Sequence, residues 1–186
     1  MPKQRITKEM ILDAAFKFAR EKGFDRVVIK NIADEIGCSV QPIYSYYKNM
    51  DDLREFVYRR AMEFYQSFIY GRVESDRLLE SMARANVEFA KSETNLFKLL
   101  FLNKINGLNS FSDIYDWMGD PAATRQAAER YALSEDGAKE TYIMLIIFTH
   151  GMATMIAMGG ANISDGEIVE FLLKAYRAFI EAHRDN

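Results

Sequence analysis

Residues 39–47 read SVQPIYSYY, and the organisation of the chain follows from what this stretch can be. Three tyrosines stand together just past Gly37-Cys38, and Lys48 follows them. A buried core segment would leave too many phenol hydroxyls without partners. A solvated loop has no use for so many rings. Upstream, Ile32, Ala33 and Ile36 recur at helical spacing and predict a short helix over 29–36. Gly37-Cys38-Ser39 then reads as a tight turn, with Ser39 placed to cap a second short helix by accepting a first-turn amide. Pro42 falls in or just after that first turn, where a missing amide proton costs little. Two short helices joined by a glycine-containing turn, behind a longer first helix, make a helix-turn-helix unit.

Helical periodicity extends outward from this unit in both directions. Before it, Ile11, Ala14, Ala15, Phe18 and Ala19 share one face, between a possible N-cap at Thr7 and a C-cap at Gly23. After it, Asn49, Asp51 and Asp52 mark the start of a long helix to about Tyr70. That helix has one stripe of Leu53, Val57, Ala61, Phe64 and Phe68 and a second of Tyr58, Met62, Tyr65 and Ile69. Further helices are predicted over 77–91, 95–102, 122–133 and 137–158. The last helix begins at Ser164, which has capping-box spacing to Glu167. Residues 105–121, with Trp117, are the least regular part. No strand pattern occurs, so the fold class is all-α.

Composition narrows the function classes. Net charge is −3 over 186 residues, but residues 1–60 carry 12 Lys and Arg against 9 Asp and Glu, whereas the remainder carries 12 against 18. A basic N-terminal module on an acidic body is the expectation. The single cysteine, Cys38, cannot form an internal disulfide and suits a reducing cytoplasm. It reads as a small apolar filler; no flanking cation would lower its pKa for redox sensing. The N-terminal segment MPKQRITKEM has no apolar run, so no secretory signal is read there. Residues 142–158 are apolar but shorter than the roughly 20 residues of a spanning helix, so a buried helix is expected and no membrane span. His150 and His183 have no metal-ligand spacing, and no phosphate loop or nucleophile set can be assembled. No cofactor, no metal and no enzyme activity are expected.

In a helix-turn-helix unit the second short helix enters the DNA major groove, with first-turn side chains at base edges. Gln41 can pair with an adenine edge, and Val40 and Pro42 can press on thymine methyls. Tyr44, Ser45, Tyr46 and Lys48 can reach phosphates, and Arg5, Lys30 and Ser39 complete the candidate surface. Of Tyr44 and Tyr46, one is expected in the core of the module and the other on DNA, with Tyr44 the contact.

The run ILDAAFKFAREKGFDRVVIKNIADEIGCSVQPIYSYYKNMDDL, residues 11–53, resembles the TetR/AcrR family of bacterial transcriptional regulators. It has the Ala-Ala helix, Gly-Phe, the Ile-Ala helix, Gly-x-Ser, a tyrosine before an aromatic-Lys step and a Leu-anchored helix. Over 70–186 the likeness is loose. Three positions depart from the pattern: Val28 stands where Thr or Ser usually caps the second helix, Gln41 where a small residue is common, and Met50 where many members have lysine. The resemblance implies a three-helix DNA-binding module at 1–50 and an antiparallel helical effector-binding and dimerisation domain at 51–186. It implies a homodimeric repressor on a palindromic operator, released by a small molecule. The alternative is a helical small-molecule-binding protein that no longer reads DNA.

The resemblance also implies an effector cavity in the C-terminal helices. Phe64, Tyr65, Phe68, Phe89, Phe101, Trp117 and Tyr142 are the lining candidates, which would favour an apolar or aromatic effector. Asn86 is either its polar contact or an asparagine bonded to neighbouring backbone. For the dimer, the last two helices each carry more apolar surface than one core can use. One stripe holds Tyr142, Leu145, Thr149, Met152 and Ile156, and another Ile143, Ile147, His150, Thr154 and Ala157. The seam is expected at Ile147, His150, Thr154, Leu172, Ala175 and Phe179, with Gly151 and Ala153 allowing close approach.

Overall fold

The computed structural model describes residues 6–102 and 108–184, and all regular structure among them is helical. Arg5 and part of the stretch expected to be irregular lie outside the described residues. Packing divides the chain into two compact units, Met1–Gln66 with Glu93–Asn103, and Ser67–Ser92 with Lys104–Asn186. The sequence boundary after residue 50 marks off the reading helices. The packing boundary falls further along, because the helix that follows them is packed into their core.

In the first unit α1 (Lys8–Lys22) starts at Thr7, whose hydroxyl accepts from the amide of Met10 at 3.2 Å. Its apolar face puts Ile11, Ala15 and Ala19 out of solvent. A short 3₁₀ turn, Phe24–Arg26, leads to α2 (Ile29–Ile36). No side chain caps α2, since Val28 has nothing to offer; Asn31 steadies the entry by donating to the Arg26 carbonyl at 2.9 Å. Gly37 ends the helix with φ +68°, and the Cys38 amide reaches back to the Ala33 carbonyl at 2.9 Å. That closure needs a left-handed residue, which explains the glycine. The greater part of α4 (Met50–Tyr70) lies in this unit, with Leu53, Val57 and Ala61 buried along one stripe. α6 (Thr94–Phe101) belongs here too, tied to α1 by Arg20–Glu93 at 2.8 Å and by Asn95 donating to the Arg20 carbonyl at 2.9 Å.

The second unit contains α5 (Leu78–Ser92), α7 (Phe111–Met118), α8 (Pro121–Tyr131), α9 (Glu135–Ala157) and α10 (Asp165–His183). Its core is built on α9, whose Tyr142 and Leu145 pack with Leu79, Ala123, Ala127, Tyr176 and Ile180. The expectation of irregular chain through 105–121 is corrected over 111–118. Ser110 and Asp113 form a capping box there, and Asp113 accepts two backbone amides, which holds its carboxyl below the usual range. Such a local signal starts a helix that apolar periodicity alone does not reveal. The expected capping box at Ser164 and Glu167 is present. With 23 residues, α9 is long and apolar enough to cross a bilayer by length and composition. One of its faces, through Tyr142, Leu145, Thr149, Ala153 and Ala157, is nonetheless the buried centre of a helical core.

Candidate nucleic-acid interface

α3 (Gln41–Tyr46) is short, and its outer surface is built from the residues that follow the turn. Val40 is 45% exposed and Tyr44 55%, with Gln41 exposed beside them. Pro42 sits in the first turn, as its missing amide requires. Ser39 is not the cap: the N-cap is Val40, in helical conformation and without a side-chain bond, so Ser39 lies outside the helix. Ile43, fully buried, is the anchor on the inner face.

The tyrosines separate differently from the sequence expectation. Neither Tyr44 nor Tyr46 is in the core. Tyr46 is 40% exposed, and its phenol donates to the Ile6 carbonyl at 3.1 Å. The core tyrosine is Tyr47, 1% exposed and edge-on to Phe56 at 5.5 Å, with its hydroxyl donating to the Lys8 carbonyl at 3.3 Å. Burial pushes that phenol up to about 12, with Glu9 and Asp52 adding to the shift. The Lys8 ammonium lies 4.0 Å from the Phe56 ring centre and completes this cluster. The spacing could have revealed it, since Tyr47 follows Ile43 by four residues and so shares its face. Tyr47→Ala is expected to cost about 3–5 kcal/mol, the range for deleting a large buried aromatic side chain. Thermal or urea denaturation measures it, and a loss below about 1 kcal/mol would show that Tyr47 does not anchor the module.

Cations and hydroxyls complete the surface. Lys30 and Lys48 are exposed. Asn49 caps the following helix by accepting the Asp52 amide at 2.8 Å, and Asp52 accepts the Lys48 amide at 3.2 Å, so the backbone carrying Lys48 is fixed. Ser45 is exposed but turns its hydroxyl onto the Pro42 carbonyl at 2.6 Å. Cys38 is half-buried, and burial pushes its thiol up, which is the behaviour of a filler.

The effector candidates divide between the units. In the first, Tyr65 meets Phe101 edge-on at 4.9 Å and Phe64 lies 5.8 Å from Phe16. In the second, Phe68 meets Phe89 at 5.2 Å, Tyr142 meets Tyr115 at 5.5 Å, Asn86 is buried on α5, and Trp117 is half-buried on α7.

The seam candidates do not share one face. Ile147 is 44% exposed, but Leu172 is 5% exposed and packs with Val87 and Ile168 in a core cluster. Ala153 is also fully buried. Phe179 is half-buried against Phe148 at 6.0 Å, and Ala175 is half-buried. His150 is half-buried, which lowers its pKa and favours the neutral ring, and the buried Thr154 hydroxyl has no hydrogen-bond partner among the described residues. The exposed apolar face of α9 is offset from the expected stripe: Met144, Ile147, Met155 and Met158, with Gly151 between them.

Residues 11–57 match the model of the family described as bacterial regulatory proteins, tetR family. No curated protein sequence matches the chain. Among solved structures, a TetR-like transcriptional regulator from Rhodococcus sp. RHA1 shares the fold with a TM-score of 0.68 at 15% identity, over 95% of this chain and 99% of that one. A TetR-family transcriptional regulator from Vibrio parahaemolyticus aligns with a TM-score of 0.57 at 19% identity, over 96% of this chain and 99% of that one. A second Rhodococcus sp. Rha1 transcriptional regulator aligns with a TM-score of 0.56 at 13% identity, over 96% of each chain. The helix-turn-helix module thus matches the tetR family of bacterial regulatory proteins over residues 11–57, and the chain as a whole shares the all-α fold of these regulators.

Proposed function

We propose that the protein is a ligand-responsive transcriptional repressor of the cytoplasm, a homodimer that holds a palindromic DNA operator through α3 and is released by a small apolar or aromatic effector. The observation that carries this reading is α3 itself. Its inner face is locked by Ile43, and Tyr47 anchors the residue beyond its end, while Val40, Gln41 and Tyr44 stand in solvent. A six-residue helix with exposed aromatic and amide side chains needs a partner surface, and a major groove supplies base edges, methyls and phosphates for them. α4 gives effector binding a lever. It is one unbroken helix of 21 residues from Met50 to Tyr70, so a displacement at its far end reaches the reading module as rigid-body motion. Of the aromatic candidates, those of the second unit, Phe68, Phe89, Trp117 and Tyr142, are the residues we assign to the effector, with Asn86 as the polar contact.

A salt-titrated shift assay on DNA from upstream of the protein's own gene tests the reading. Tight binding to that DNA over a scrambled duplex is expected. Lys48→Ala should weaken binding to both duplexes and lower the salt slope by about one phosphate contact. Equal affinity for the two duplexes would leave the alternative, a helical small-molecule-binding protein that has lost DNA recognition.

A further inference from the structure

The second unit contains a cleft that shares no residue with the aromatic effector candidates. It lies between α5 and α10 and encloses about 100 Å³. Its floor is apolar and belongs to the core: Ala83, Leu145, Leu172 and Tyr176 are all buried side chains that nevertheless line the cleft. The polar atoms near the floor are already used. Ser81 donates to the Arg77 carbonyl at 2.7 Å and accepts the Glu74 amide at 3.0 Å, and the Tyr176 phenol is tied to Tyr131. A bound molecule therefore meets hydrocarbon at depth.

The mouth is charged, and its charges are not equally committed. Arg84 is paired with Glu74. Glu80 accepts the Tyr131 phenol at 3.3 Å. Among the described residues Arg77 forms an ion pair only with its sequence neighbour Asp76, at 3.6 Å and with both side chains more than half exposed, which is too long for a hydrogen bond. Of the four charged groups at the mouth, the Arg77 guanidinium thus has the most donor capacity left, and a planar fork of that kind suits a carboxylate. Size sets the other end of the ligand. A closed cavity of about 150 Å³ accommodates benzene, so this smaller cleft, open at its mouth, takes an alkyl tail of about four to five carbons.

We propose that this cleft binds a short-chain monocarboxylate, its alkyl tail on Ala83, Leu145, Leu172 and Tyr176 and its carboxylate on Arg77. A second copy of the chain is not the occupant the surface favours. The cleft uses Val169, Leu172, Leu173 and Tyr176 of α10, whereas the exposed Phe171 and Ala178 lie on the opposite side of that helix. The site also stands apart from DNA reading, so its test needs no operator.

Hexanoate is the probe, with 1-hexanol and hexylamine as controls of the same length. Calorimetry on the full chain should show saturable hexanoate binding at one site per chain, and the melting temperature should rise with concentration by linkage. Hexanol should bind about tenfold more weakly or worse, because it forgoes a charge-assisted hydrogen bond, and hexylamine should not bind. Arg77→Gln, at an exposed position, should cost hexanoate about tenfold and leave hexanol unchanged. Ala83→Leu should fill the cleft and abolish binding of both; if that variant does not fold, Arg77→Gln decides alone. No saturable binding of hexanoate overturns the proposal. So does hexylamine binding as tightly as hexanoate, or hexanoate affinity unmoved by Arg77→Gln.

Discussion

Gln41→Ala combined with Tyr44→Ala is expected to eliminate sequence-specific operator binding while helicity and melting temperature stay at their unmodified values. Both side chains are exposed on α3 and neither contributes to the core of its unit, so the folded state loses little. The DNA complex loses much. An amide side chain paired to a base edge discriminates by about 1–3 kcal/mol, and an aromatic side chain with a phenol tip adds packing and a phosphate bond of similar weight. In a dimer each loss is counted twice, so the double substitution should cost well over a hundredfold in operator affinity. Binding to unrelated duplexes should remain at its weak, salt-dependent level, because Lys30 and Lys48 are untouched. Retention of specific binding by the double variant would show that α3 is not the reading helix.

The module was legible in the sequence because its signals are local. Gly37 has to be left-handed for the turn to close, Pro42 has to stand in a first turn, and Leu53, Val57 and Ala61 repeat along one stripe. What failed was the choice among three adjacent tyrosines, and the cause is register: one residue along a helix rotates a side chain by about 100°. Anchored on Ile43, that rotation puts Tyr47 inside and leaves Tyr44 and Tyr46 out. The same difficulty recurs on the helix expected to carry the seam. In α9 apolar residues surround the helix almost completely, so periodicity cannot say which stripe is core. Tertiary packing decides it, by seating Thr149, Ala153 and Ala157 inward; small residues there let the neighbouring helices approach. The helix at 111–118 was hidden because its signal is the Ser110–Asp113 cap rather than a hydrophobic repeat.

Ile147→Glu is expected to convert the dimer to a monomer and to lower operator affinity by about 10²–10⁴-fold, the advantage that joining two binding events confers. The argument starts from the exposed face of α9. Met144, Ile147 and Met155 of α9 and Met158 at its C-cap are each more than 40% exposed and recur at helical spacing, and Phe171 of α10, packed on Phe148 at 5.8 Å, is 57% exposed. A continuous apolar face of this kind on a folded unit marks a contact surface. Gly151 supports the assignment. A glycine in mid-helix costs about 1 kcal/mol relative to alanine, yet a Cβ at this position would meet nothing within 4 Å in its own chain. On the proposed dimer, close approach of a second helix at that point would account for the cost. A two-fold axis through the face makes Ile147 meet the same surface of its mate, so one substitution places two carboxylates on the seam. Their repulsion and desolvation oppose association, while the monomer keeps an exposed glutamate in water and folds normally. Phe179, half-buried against Phe148, is the poorer site for this test, because a charge there would also damage the core of its own unit. Sedimentation and operator titration of Ile147→Glu should therefore change together, while helicity stays at its unmodified value. A variant that stays dimeric, or an unmodified chain that sediments as a monomer at micromolar concentration, would place the dimer contact elsewhere or remove it.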